Sequence, residues 1–541
     1  MIKFKNIISG AALVAATMMG TSCSDWLDLE PQDWFGSESY WKNESQIIGY
    51  VDGMHKQLRD QYWQHTILFG EVRGGQYVDG VSCDGMTTWY GDMRLQNLDV
   101  DHTGVSKFGN LYGTITNCNL FIKRVTEASF LSDEARRKYL AIGYGLRAFH
   151  YFDLYRVYGG VPLRTDVDVI EGVLDPNKLY LARSTPKQTM DFIKEDINKS
   201  IELFGSDKSF DPVGHGKKYY WCKAASECLA AEIYLWNAKV TIGDNQANAA
   251  DLAKAKELLK NIEANYGLSM LDNFGDVFDA KNKVNDEVIF AIRFQEGEAT
   301  NNNVYYTYSL DTGSTQGLSF RKDGSAWNDP LGLKTGYAMS MEYKKGMYEM
   351  FDEEDSRLDA TFMGSFRKNE AGELYLNGVH TVKNVGYINS AGNRIFCGDY
   401  ILYRLPWVYL SLAEIANMEG NDADVEKYVN LVRQRAYAEN WNAEEFGYKA
   451  GDFTQNELAI FGEKNKEFVQ EGQRWWDLLR MTYTKGGEHL VFRSEVTFEK
   501  DAPLLNQNNA YKVLWPLDKE LLNNDNTLLQ TPGYGGDECQ W

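Results

Sequence analysis

Nine stretches of this chain repeat apolar residues every three to four positions for more than three turns, and that periodicity limits the possible folds more than any other feature. They are Ser45–Tyr62, Tyr112–Ser129, Asp133–Tyr158, Thr185–Phe204, Tyr219–Val240, Asn248–Asn265, Trp407–Glu419, Ala423–Ala438 and Thr454–Met481. They come in adjacent pairs joined by short polar turns, such as Ser129-Phe130-Leu131-Ser132 and Ile242-Gly243-Asp244-Asn245. Small residues recur on them (Ala141, Gly145 and Ala148; Ala224, Ala225, Ala230 and Ala231), so paired helices can approach closely. Ser132 with Asp133 before Glu134, and Thr454 before Glu457, read as N-cap signals.

Helix pairs of about 34 residues are the unit of tetratricopeptide-like stacking. Here the repeats are interrupted, so the periodicity supports helical hairpins more firmly than a named repeat. The expected fold is mainly α, with tetratricopeptide-like helical hairpins over about 45–266 and 404–541 of one domain spanning 45–541. Between about 267 and 403 the helical period lapses and Gly and Asn become frequent. Short apolar runs such as Val288-Ile289-Phe290-Ala291-Ile292 read as strands. Long irregular segments over a rigid scaffold usually carry function, so this loop-rich insert is the expected ligand face.

The first 22 residues have the layout of a secretory signal: Lys3 and Lys5, an apolar run from Ile7 to Met19, then Gly20-Thr21-Ser22 before Cys23. The apolar run is too short to span a ~30 Å hydrocarbon core. A cysteine directly after small residues is where a bacterial lipoprotein is cleaved and acylated, so Cys23 is the expected lipidation site and 23–44 the tether. Several acyl chains on one cysteine give stable anchoring without spanning.

The chain carries a net charge of −21, which repels phosphate backbones and makes nucleic acid a poor partner. Seven cysteines fall at irregular spacings with no CxxC, and seven histidines form no HExxH pair, so no metal or redox cofactor is expected. Aromatic residues are abundant: 14 Trp, 33 Tyr and 26 Phe. Most should be core, yet rings in loops also present flat faces to the apolar C–H surfaces of sugars.

Four segments together resemble the SusD/RagB family of outer-membrane nutrient-binding lipoproteins. They are Cys23-Ser24-Asp25-Trp26-Leu27-Asp28-Leu29-Glu30-Pro31-Gln32; Gly145-Leu146-Arg147-Ala148-Phe149-His150-Tyr151-Phe152-Asp153-Leu154-Tyr155, closing on Tyr158-Gly159-Gly160-Val161-Pro162-Leu163; Glu467 to Arg480 with its Arg474-Trp475-Trp476-Asp477; and Leu514-Trp515-Pro516-Leu517-Asp518-Lys519-Glu520. The resemblance implies a non-catalytic protein, lipid-anchored on the outer membrane and facing the cell surface. Such a protein binds oligosaccharides on an exposed aromatic patch and passes them to a SusC-like TonB-dependent transporter. The shared segments themselves read as scaffold. Arg147, Tyr151 and Tyr155 share one helical face, Arg474 and Asp477 can pair at i, i+3, and at least one of Trp475 and Trp476 should be buried.

The resemblance places the sugar site on an early loop and on the irregular middle. In the early loop, Trp89 and Tyr90 stand adjacent in a Gly-flanked polar stretch, with Arg73 and Asp84 near them in sequence to hydrogen-bond hydroxyls. For Arg73 the competing reading is a buried ion pair with Glu71, Asp79 or Asp84. In the middle region the candidates are Tyr306, which shares a side with Tyr308 if that run is extended, and Trp327. The acidic run Asp352-Glu353-Glu354-Asp355 reads as a solvated turn rather than a calcium loop. Two other functions compete: a peptide-binding, RagB-like uptake protein, and a surface glycoside hydrolase, which needs two carboxylates about 5–10 Å apart. Among 77 acidic residues chance pairs are plentiful, and no nucleophile elbow or Walker loop occurs.

Overall fold

A computed structural model describes residues 40–80, 88–104, 108–167, 175, 179–301, 308, 315–334, 336, 341–498 and 502–541. The expected signal segment, Cys23 and most of the tether lie outside these residues. Among the described residues the α-helices before the insert are α1 (Glu44–Asp60), α2 (Thr88–Arg94), α3 (Phe108–Glu127), α4 (Asp133–Tyr158), α5 (Pro186–Phe204), α6 (Lys223–Lys239) and α7 (Asp251–Asn265). After it come α8 (Leu405–Glu419), α9 (Asp422–Tyr437), α10 (Phe453–Glu467) and α11 (Arg474–Arg480). The main antiparallel partners are α3 with α4, α4 with α5, α6 with α7, and α8 with α9, while α7 and α10 also lean on α8. These are the hairpins that the periodicity predicts.

Local chemistry sets the helix ends. The Ser132 side chain accepts from Ala135 N at 3.1 Å and caps α4. Close helix approach depends on Gly145, where a Cβ would lie 2.0 Å from Trp221 Nε1 and 2.9 Å from Ser200 Oγ. On a different face of α4, Arg147 forms a two-pronged pair with Asp196 (2.7 and 2.8 Å), and the Tyr151 hydroxyl donates to the Arg164 carbonyl at 2.7 Å.

Three expectations about the late helices need correction. The run Thr454–Met481 is not one helix: it breaks between Phe468 and Gln473, where Gln470 and Gly472 take φ values of 60° and 74°. At Gly472 a Cβ would come within 2.8 Å of the Thr66 backbone, so the chain must turn and only glycine fits the approach. The cap of α10 is Asp452, in a capping box with Gln455, rather than Thr454. The break also redirects Arg474. Its guanidinium donates to the Gly74 and Val496 carbonyls (2.7 and 2.9 Å) and to Asn465, while Lys464 takes Asp477 at 2.9 Å. Trp475 and Trp476 are both buried.

The insert contributes short antiparallel pairs. β1 (Tyr77–Asp79) pairs with β3 (Met341–Tyr343), and β2 (Val288–Ile292) pairs with β8 (Tyr400–Arg404). β4 (Phe362–Lys368) pairs with β5 (Leu374–Thr381), and β6 (Tyr387–Ile388) with β7 (Arg394–Ile395). The strand read at Val288–Ile292 is thus present, and all five of its residues are buried.

A buried charge network ties the insert to the last hairpins. Arg404, at the start of α8, reaches Glu471 at 2.7 Å, Glu287 at 3.0 Å and Glu467 at 2.5 Å. Arg435 holds Glu287 at 2.9 Å and also Glu467, and Arg357 holds Asp355 at 2.7 Å and Glu463 at 2.7 Å. These guanidiniums keep the Glu467 carboxyl well below the usual carboxylate range despite its burial. Asp355 is therefore a buried network member and not part of a solvated turn, although Asp352, Glu353 and Glu354 are exposed.

Candidate functional site

The pairing of β1 with β3 brings the early region and the insert together. Tyr77 faces Tyr343 across the ladder, their hydroxyls 2.9 Å apart and their rings 4.6 Å centre to centre. Gly75, at φ 77°, turns the chain from the Val72–Gly74 turn into β1. β3 is fastened to β5 in turn, since Glu342 Oε1 accepts from Val379 N at 3.0 Å. Burial pushes the Glu342 carboxyl up to about 7.

Helix α2, which carries Trp89 and Tyr90, is pinned beside this ladder. Arg94 in its last turn donates to the exposed Asp79 at the end of β1, at 2.7 Å, and Met93 is buried on its inner side. The structure describes the backbone of Trp89 and Tyr90 but not their side chains. Asp84 and Tyr306 fall outside the described residues.

Arg73 and Trp327 are placed where no ligand can reach, which corrects their expected role. Arg73 is fully buried, its Nε donating to Gln96 Oε1 at 2.7 Å and its guanidinium 4.2 Å from the Trp475 ring centre. Burial brings it down to about 10. The competing ion-pair reading fails as well, because its partners are a side-chain amide, a carbonyl and indole faces, while Asp79 pairs with Arg94. A planar guanidinium suits such a stack, where it packs like an aromatic ring.

Trp327 is buried in a small second core with Tyr308, Leu331, Leu333 and Phe396. Its ring stacks on Tyr308 (6.2 Å, 27°) and lies 5.0 Å from His380, which burial lowers to about 3 and so keeps neutral. Trp327 thus supports the face from beneath, because His380 belongs to β5, which is tied to β3. Among the described residues the exposed aromatics include Tyr375 on β5 (45% exposed) and Tyr511 (37%). The sequence reading singled out neither. Alternation along β5 was the available signal for Tyr375, whereas Tyr511 lies in the 3-10 helical segment Gln507–Val513, too short to show a period.

Among the described residues no group of His, Cys, Asp and Glu could hold a metal ion. Nor is any helix there long and apolar enough to cross a membrane. The described cysteines, Cys118, Cys222, Cys228, Cys397 and Cys539, are free and buried.

The fold matches a crystal structure of a SusD superfamily protein from Bacteroides fragilis with a TM-score of 0.87, at 56% identity over 92% of this chain and 100% of that one. The chain belongs to the SusD superfamily. Residues 377–534 match the model described as the SusD family, and residues 25–235 match one described as starch-binding associating with outer membrane. A SusD-like protein P38 of Formosa agariphila is 24% identical over 89% of this chain and 92% of its own length. Surface glycan-binding protein A from Bacteroides thetaiotaomicron, in complex with laminarihexaose, shares the SusD fold (TM-score 0.64, 18% identity, 90% of this chain and 99% of that one).

Proposed function

We propose that this chain is a non-catalytic cell-surface lipoprotein, anchored through Cys23, that captures oligosaccharides and delivers them to a partner TonB-dependent outer-membrane transporter. The observation that carries the reading is the β1–β3 ladder, which holds the helix of Trp89 and Tyr90 against the insert in a protein of this family. Trp89 and Tyr90 supply stacking surfaces for the C–H faces of sugar rings, and Asp84 and Tyr306 supply hydrogen-bonding partners for hydroxyls. The overall charge of −21 favours neutral glycans over polyanions. The glycan-binding name of a fold relative points to the same ligand class.

Native affinity electrophoresis of the soluble form starting after Cys23, through gels containing neutral polysaccharides, tests the reading. One polysaccharide should retard the protein, and Trp89→Ala should abolish the retardation. Trp327→Ala should leave it intact in whatever fraction stays folded. An unretarded wild-type protein, or a Trp89→Ala variant retarded like wild type, rejects the site.

A further inference from the structure

Away from the β1–β3 face, a groove of about 290 Å³ opens between α1, the Tyr219–Tyr220 segment ahead of α6, and β2 with the turn that follows it. Its apolar floor includes Leu58, Phe290 and Ile292. His55 at its base is a neutral imidazole, lowered to about 4 by burial; its Nδ1 bonds the Val51 carbonyl at 2.8 Å and its Nε2 accepts from Trp221 N at 2.9 Å. The two tyrosine hydroxyls are spent inside the protein, on Asp399 and Asp52, each at 2.7 Å. What the tyrosines offer a ligand is the ring surface left beside the Arg293 guanidinium, 5.8 Å from the Tyr219 ring centre, and beside His55, 4.9 Å from the Tyr220 ring centre.

The charges around this floor about balance, unlike the acidic chain as a whole. Arg59 and Arg293 line the groove against Asp52 and Glu298, and Lys56 beside them is paired with Asp60 at 2.6 Å, in a chain whose net charge is −21. The two guanidiniums share one carboxylate, since Glu298 takes Arg59 on Oε1 and Arg293 on Oε2 at 3.2 Å. Arg59 Nη1 also donates to the Arg293 carbonyl at 3.3 Å, and Arg293 Nε and Nη2 reach Gln295 at 3.2 and 2.5 Å. Among the described residues no protein acceptor takes Arg59 Nε and Nη2 or Arg293 Nη1. Fork-shaped donors left over beside a ring face fit a planar carboxylate attached to a pyranose.

We propose that this groove binds a carboxylated monosaccharide unit, its carboxylate held by Arg59 and Arg293 and its ring set against Tyr219 and Tyr220. Its lining shares no residue with α2, β1 or β3, and the proposal does not rest on the aromatic face.

Calorimetric titration of the soluble chain with D-glucuronate, D-glucose and propionate tests the proposal, with Arg293→Gln, Arg59→Lys, Tyr220→Leu and Trp89→Ala in parallel. Glucuronate should bind at least tenfold more tightly than either glucose or propionate. Arg293→Gln and Arg59→Lys should each weaken glucuronate at least tenfold, and Tyr220→Leu severalfold. Arg293 is 36% exposed in its side chain, so its variant should fold, which an unchanged melting temperature verifies. Trp89→Ala should bind glucuronate like wild type, which separates failure here from failure of the glycan-capture reading. Glucose binding as tightly as glucuronate removes the carboxylate clamp, and propionate doing so removes the sugar. No heat with glucuronate, or full binding by a folded Arg293→Gln variant, overturns the proposal.

Discussion

Two of the places where the chain sets arginine against glutamate serve opposite ends. At the junction of insert and hairpins, Arg404 and Arg435 surround Glu467 and Glu287, and none of these side chains is more than 3% exposed. Each carboxylate there accepts from more than one cation, so little hydrogen-bonding capacity is left over. In the groove beside α1, Arg59 and Arg293 share Glu298, whose side chain is 39% exposed, and guanidinium donors stay uncommitted. Burial with each carboxylate shared among several cations makes a joint, whereas partial exposure with donors open to solvent makes a receptor surface. Residue type alone does not separate the two.

The largest effect that sharpens this contrast is expected at Glu467. Replacing it by Gln leaves Arg404, Arg435 and Arg357 short of one buried negative charge. Losing one partner of a buried ion pair costs about 3–5 kcal/mol, read as a lower midpoint in urea unfolding at pH 7. The pH dependence has a fixed sign. The folded carboxyl is held below its ordinary value, so its contribution is full above the unfolded value of about 4.3 and fades as pH falls toward the folded value. The wild-type protein should therefore lose stability more steeply below about pH 4.3 than Glu467→Gln does. Equal acid slopes would mean that the Glu467 carboxyl is not held below its ordinary value in the folded protein.

Most of the scaffold was legible in the sequence because long amphipathic helices declare themselves by period. The α4 limits Asp133–Tyr158 and its Ser132 cap were readable to the residue. The break at Gly472 was not, since the apolar pattern runs through it; only the approach of the Thr66 backbone, remote in sequence, forces the turn. The candidate site was less legible for a similar reason. Trp327 sits among Gly, Asn and Asp, a composition that signals a loop, yet Tyr308 and His380 arrive from elsewhere in the insert and bury it. Arg73 next to Gly74 and Gly75 looked like a loop cation until Trp475 and Trp515 closed over it. Neighbours distant in sequence decide exposure, and one sequence contains no record of them.

An intermediate effect should come from Glu71, a buried carboxyl whose direct bonds come from neutral donors. It accepts from Gly472 N and from the Tyr77 hydroxyl, each at 2.9 Å, and burial pushes it up to about 7. The sign is the reverse of that at Glu467. Between about pH 4.3 and 7 the folded state holds a proton that the unfolded chain has released, so stability falls as pH rises through that window. The wild-type protein should lose on the order of 1–3 kcal/mol between pH 5 and pH 8 from this group, and Glu71→Gln should flatten that slope. Chemical denaturation at the two pH values reads the difference; a slope unchanged in Glu71→Gln assigns the titration elsewhere.

The smallest effect belongs to the groove, and its smallness is the point. Glu298→Gln removes the carboxylate shared by Arg59 and Arg293, but both guanidiniums keep solvent and other acceptors, among them the Arg293 carbonyl and Gln295. A partly exposed pair of this kind contributes about 0–1 kcal/mol, so the unfolding midpoint should barely move, and less still in high salt. The same substitution frees further guanidinium donors and removes a negative charge from the groove. Glu298→Gln should therefore bind D-glucuronate more tightly than wild type while D-glucose is unaffected. If stability instead falls by several kcal/mol, as expected for Glu467→Gln, the groove is a second joint and the contrast between the two regions collapses. If stability holds and glucuronate weakens, Glu298 is part of the ligand contact and the clamp is formed by three residues rather than two.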